Sequence, residues 1–128
     1  PLANGAACLQ EILRTIDEQN LDVVFPLEYR YVARDDTWLS MSSGDEDHAA
    51  ISVHRIASED YRPYFDVIEP IFWKYGGRPH WGKVHSLGAA QLGRLYPRFA
   101  EFQALRARLD PQGRMLNHHL RKVFGVTG

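Results

Sequence analysis

The chain has 128 residues, 45% of them hydrophobic, and its 16 acidic and 15 basic side chains leave a net charge of −1. That is enough chain for one globular domain with its own core, while the balanced charge lacks the basic footprint of a nucleic-acid binder and no run of ~18 apolar residues could cross a membrane. A single cysteine, Cys8, excludes an internal disulfide framework; with no signal-peptide pattern at the start, the expected setting is a reducing one, the cytoplasm.

Ala6 to Gln19 predicts an amphipathic helix: Leu9, Ile12, Leu13 and Ile16 recur at helical spacing, with Gln10, Glu11, Arg14 and Asp17 opposite. Asn4 lies where a cap would, and Asn20 should end the helix. Cys8 falls on the apolar pattern and reads as a small buried hydrophobe. From Val23 to Ala33 the pattern alternates as in a strand. Val23, Phe25, Leu27, Tyr29 and Tyr31 would share the face packed on helices, and Glu28 and Arg30 the opposite one. Pro26, without an N–H, marks an edge or a bulge near the start. Trp38 to Met41 predicts a short strand, and the polar stretch from Ser40 to His48 a turn or mobile loop. Ala49 to Ile56 predicts a second strand. Ile51 and Val53 would join the core there, leaving Ser52 and His54 on the face of Glu28 and Arg30.

Ser58 to Tyr75 is a helical pattern with prolines. Pro63 fits a first turn, Pro70 should kink the helix or end it early, and Gly76 or Gly77 suits the position just past its end. A loop rich in glycine and hydrogen-bonding side chains follows, from Gly76 to His85; by composition it is either a solvated connector or a site. Ala89 to Tyr96 is a short helix with Leu92 and Leu95 inward. Pro97 reads as the first residue of the next helix, or a kink, carrying Phe99, Phe102, Leu105 and Leu109. Asp110 to Gly113 is a turn, and Asn117 can cap a last helix from His118 to Phe124. The order predicts an α+β fold: an antiparallel sheet, incomplete in this sequence, backed by helices and followed by a helical C-terminal tail. Two or three strands suggest part of a larger sheet.

The histidines do not predict a metal site. His80 and His85 are five apart, His118 and His119 are adjacent, and no cysteine supports either pair. No serine sits in a nucleophile elbow, and no glycine-rich phosphate loop is present. By themselves Glu28 and Arg30 are either an exposed cross-face ion pair or a polar site, and His54 is either a surface histidine or their neighbour.

Gly76-Gly77-Arg78-Pro79-His80-Trp81-Gly82-Lys83 resembles the signature near the C-terminus of the FAD-dependent sugar-1,4-lactone oxidases and alditol oxidases, in the vanillyl-alcohol-oxidase superfamily. The resemblance runs from Pro26 to about Phe124. It includes Pro26-Leu27-Glu28-Tyr29-Arg30, Ile51-Ser52-Val53-His54, Leu95-Tyr96-Pro97, Leu105-Arg106, Leu109-Asp110-Pro111, and Asn117 with Leu120 and Phe124. It implies that Glu28, Arg30 and Lys83 line the substrate side of a flavin, that His80 contacts the flavin, and that His54 is a substrate-side neighbour. The implied substrate is a sugar lactone or a polyol. The segment of that family that binds most of the FAD has no counterpart in this sequence. The chain is therefore expected to be the C-terminal cap and substrate-binding region, with 76–128 packing on the FAD domain of the same protein. Alone it should be inactive, hold no FAD and tend to self-associate. A second reading is a non-catalytic α+β binding or interaction module that has lost its flavin domain.

Overall fold

The computed structural model describes residues 1–126; positions 127 and 128, the end of the expected tail, lie outside the described residues. The elements in order are α1 (Leu2–Glu18), β1 (Glu28–Val32), β2 (His48–Ser52), α2 (Arg62–Lys74), α3 (Ala89–Leu95), α4 (Phe99–Leu109) and α5 (His118–Phe124). This is an α+β fold whose two strands pair antiparallel. The chain divides into two compact units, one of residues 1–34 and 45–77, the other of residues 35–44 and 78–128.

In the first unit, Cys8 and Ile12 of α1 are buried with Tyr64, Ile68 and Ile71 of α2, and Val23, Leu27, Ile51 and Val53 pack against them. Burial also pushes the Cys8 thiol up to about 11, as for an inert core side chain. Helix α1 begins earlier than its apolar pattern suggests. Pro1 takes the cap position, and Asn4, inside the helix, donates from Nδ2 to the Tyr75 carbonyl at 3.2 Å. Asn20 follows the helix at φ 48°. Gly5 lets α1 approach the sheet: a Cβ there would lie 2.5 Å from Ala49 Cβ and against the Tyr29 hydroxyl.

Helix α2 has Pro63 in its first turn and runs past Pro70 to Lys74 rather than ending early. Pro70 and Asp66, four residues before it, both face solvent, where water can meet the carbonyl that Pro70 cannot bond. The helix closes with Gly76 at φ 72°; Gly76 N–H donates to Trp73 O at 3.1 Å and Gly77 N–H to Phe72 O at 2.8 Å. This paired closure satisfies two orphan carbonyls.

Both strands are shorter than their alternating patterns. The β1 ladder starts at Glu28, after Pro26, and β2 ends at Ser52. Ala33, Phe25 and Ile56 thus fall outside the sheet. Tyr31, expected against the helices, is 77% exposed: the core gathers around Leu27, Ile51 and Val53, and the far end of the sheet runs beyond it.

The second unit is held by Leu92, Tyr96, Phe99, Leu116, Val123 and Phe124, all buried. The Phe124 ring lies within 5.4–6.1 Å of Phe102, Phe99 and Trp81, centre to centre. Trp38 to Met41 forms turns and not a strand, because the Asp35 carboxylate takes the Thr37 N–H at 2.9 Å and the Ser40 hydroxyl at 2.5 Å. Such side-chain bonds compete with an extended ladder. Ser42 and Ser43 are buried, so this part of the polar stretch is fixed structure. Helix α4 starts at Phe99 with Arg98 at its cap, which puts Pro97 before the helix. Leu109, in its last turn, is 74% exposed and lies past the core. Asn117 Oδ1 caps α5 by accepting from Leu120 N–H at 2.8 Å.

Candidate functional site

Each unit presents a pair of the sequence-predicted side chains. On the first unit the ladder pairs Glu28 with Ser52 and Arg30 with Ala50. Directly paired residues share a face, so Glu28, Arg30, Ala50 and Ser52 lie together. Their partners are small, and the same face continues to the Val32–His48 pair. Arg30 Nη2 is 3.0 Å from Glu28 Oε2, with the two side chains 65% and 51% exposed. The face is the expected one, away from the α1–α2 core. His54 lies beyond the last ladder pair, where strand parity no longer sets its direction. It is exposed, and its ring meets the Phe25 ring edge-on at 6.4 Å.

On the second unit the signature forms a tight turn in which Lys83 N–H donates to His80 O at 3.0 Å. Gly82 N–H donates to His80 Nδ1, also at 3.0 Å. A neutral imidazole that accepts at Nδ1 carries its proton on Nε2, so His80 offers an N–H outward. A Cβ on Gly82 would come within 3.4 Å of the His80 ring, which folds over this glycine. His80, Gly82 and Lys83 are exposed, whereas Pro79 is buried and Trp81 half-buried.

The residues between them are bound inward. Arg78 Nη1 donates to the carbonyls of Met41 at 3.3 Å and Ser43 at 2.5 Å, and to Ser43 Oγ at 3.3 Å. Its guanidinium lies 5.3 Å from the centre of the Tyr96 ring. Trp81 Nε1 donates to Leu39 O at 2.7 Å, and Trp81 packs on Tyr96 with ring centres 4.9 Å apart. The Tyr96 hydroxyl donates to Pro79 O at 3.1 Å; burial pushes its pKa up to about 12, which keeps it a donor. Sequence reasoning gave Arg78, Trp81 and the 35–44 loop no role. For Arg78 and Trp81 the available signal was their position, interleaved with His80 and Lys83 in one short motif; the 35–44 loop carried none.

Over residues 1–123 the chain matches the family model of D-arabinono-1,4-lactone oxidase. The chain belongs to this family. It is 41% identical over 125 residues to an L-gulono-1,4-lactone dehydrogenase of Mycobacterium tuberculosis, a match covering 98% of this chain and 29% of the relative. An L-gulonolactone oxidase of Scyliorhinus torazame is 34% identical over 128 residues, covering 97% of this chain and 29% of the relative. An alditol oxidase of Streptomyces is 38% identical over 107 residues, covering 80% and 26%. The chain thus spans under a third of the length of these relatives. Among the described residues, no helix is long and apolar enough to cross a membrane.

For a flavin, the residues present fit the ring and not the phosphates. The outward His80 Nε2–H and the exposed Lys83 ammonium are donors suited to a planar edge of oxygen and nitrogen acceptors. The glycine beneath His80 leaves room for the imidazole to fold over the turn.

Proposed function

We propose that this chain is the C-terminal, substrate-side portion of an FAD-dependent oxidoreductase that oxidises a CH–OH group of a sugar lactone or a polyol. The observation that carries this reading is the signature turn, which exposes His80 and Lys83 while its other large side chains are bound inward. Membership in a lactone-oxidase family supports it.

FAD, when bound, supplies the hydride acceptor. Glu28 accepts a hydrogen bond from a substrate hydroxyl at Oε1 and can take its proton there, while Arg30 holds Oε2. His54, exposed beside the Phe25 ring on the same unit, is assigned a lesser substrate-side role. Lys83 sets a positive charge against oxygen or ring acceptors where negative charge develops. His80 donates from Nε2 to the flavin edge. The second unit is proposed to pack on the FAD-binding part of the same polypeptide. Leu109 and Met115, 74% and 80% exposed, are apolar surface of the kind such packing covers, and that would drive self-association of the isolated chain. A cytoplasmic setting suits the buried, unpaired thiol of Cys8.

The test is anaerobic bleaching of the flavin in the complete protein by a panel of aldono-1,4-lactones and alditols. A member of one class should reduce the flavin, and Lys83→Met should slow that reduction by ~10²–10³-fold, as for a lost oxyanion donor. No reduction by either class, or a Lys83→Met rate equal to wild type, would refute the reading.

A further inference from the structure

We infer that Arg78 and Trp81 are positioning residues for His80 and Lys83, with the 35–44 loop as the anchor that sets the signature turn; this rests on the roles proposed above for His80 and Lys83.

A turn with two glycine neighbours and an exposed crest has little internal stiffness. Among the described residues, the hydrogen bonds within the motif are the two made to His80, from Lys83 N–H and Gly82 N–H. Fixed direction must therefore come from outside the turn. Arg78 supplies it at one end, spreading one guanidinium nitrogen over Met41 and Ser43 while its guanidinium carbon lies over the Tyr96 ring. Trp81 supplies it in the middle, through a 2.7 Å bond to Leu39 O and ring contact with Tyr96. Trp81 lies between His80 and Lys83, so a rotation of its backbone moves one or both of them. The acceptors are backbone carbonyls of a loop that the Asp35 carboxylate already stitches closed through Thr37 and Ser40. Rigid carbonyls on a closed loop make a better reference point than mobile side chains.

Two conservative variants separate positioning from general support. Trp81→Phe keeps a ring against Tyr96 and removes the donor to Leu39 O. Arg78→Lys keeps the charge and removes the planar fork. In the complete protein each should slow flavin reduction at saturating substrate by ~10–10²-fold, the scale of a small misplacement, with substrate Kd changed by less than about threefold. In a Lys83→Met background both should add less further slowing than in the wild type, because one of the two groups they place is gone. With 15N-labelled histidine, the His80 ring should show the Nε2–H form in the wild type and an averaged pair of tautomers in Trp81→Phe. Slowing by Lys83→Met with wild-type rates in both Arg78→Lys and Trp81→Phe would overturn the inference, as would slowing that multiplies fully with Lys83→Met. A Lys83→Met protein that itself reduces normally would instead show that the functional reading has failed, and this inference with it.

Discussion

Glu28→Gln should leave folding nearly unchanged and cost most of the activity. The two charges lie 3.0 Å apart with side chains 51% and 65% exposed, so the medium between them is close to water. Coulomb attraction at that separation and at the dielectric of water is ~1.4 kcal/mol. Ordering two long side chains and screening by salt reduce it, and exposed pairs of this kind measure ~0.2–1 kcal/mol. A double-mutant cycle on unfolding with Glu28→Gln and Arg30→Met should therefore return a coupling below ~1 kcal/mol. The catalytic side is larger. A side chain that takes a proton from the reacting hydroxyl contributes ~10²–10⁴-fold, or ~3–5 kcal/mol of barrier. Rapid-mixing measurements of flavin reduction in the complete protein give the barrier, and urea unfolding of the same variants gives the stability. Arg30→Met should slow reduction less than Glu28→Gln, since it orients the carboxylate without taking the proton. Wild-type reduction in Glu28→Gln, together with a stability loss above ~1 kcal/mol, would make the pair a structural ion pair and refute the assignment.

Gly5→Ala sets helix propensity against space. The new methyl would lie 2.5 Å from Ala49 Cβ; overpacking of ~1–3 kcal/mol outweighs a propensity gain of ~1 kcal/mol, so the thermal midpoint should fall by several degrees, and a raised midpoint would show that α1 does not lie this close to the sheet. Acid should weaken the protein through Glu11, held below the usual carboxylate range chiefly by the hydrogen bond from Lys74 Nζ and then by that from the Tyr75 hydroxyl. Asp110 acts in the same direction, lowered mainly by the Met115 backbone N–H and also by that of Arg114. A carboxyl whose folded pKa is depressed stabilises the fold above its unfolded value of ~4 and loses that contribution as pH falls through the folded pKa. The difference in urea midpoint between wild type and Glu11→Gln should accordingly be largest near neutral pH and shrink below about pH 4; a difference that grows with acid would contradict the assignment.

The faces of the sheet were legible because strand parity has a period of two and needs no distant information. Glu28 and Arg30 had to fall opposite Leu27 and Tyr29, and Ile51 opposite Ser52. Strand length was not legible in the same way. Alternation continues through Val23, Phe25 and Val53, but a ladder needs a partner with an N–H in register, and Pro26 removes one. Trp38 to Met41 misled for a related reason. Its apolar residues suit a strand, and the Asp35 carboxylate, reaching Thr37 and Ser40, turns the backbone aside. Of the two outcomes expected at Pro70, the early end did not occur, since the local rule against proline in helices gave way to tertiary packing of Tyr64, Ile68 and Ile71 on α1.

The signature shows most directly why the rest was hidden. Arg78, His80, Trp81 and Lys83 are all large, polar-tipped and set among glycines, so local sequence gives no reason to sort them into two classes. What sorts them is where acceptors lie. Arg78 and Trp81 find theirs on Leu39, Met41 and Ser43, some 35–42 residues earlier in the chain. Only the folded loop shows those carbonyls turned toward the motif. With these two bound inward, the large side chains of the motif left exposed are His80 and Lys83. A motif that must hold its shape and also present reactive groups needs both kinds of residue interleaved. Replacing either anchor should therefore disturb the chemistry through the same backbone atoms that carry His80 and Lys83.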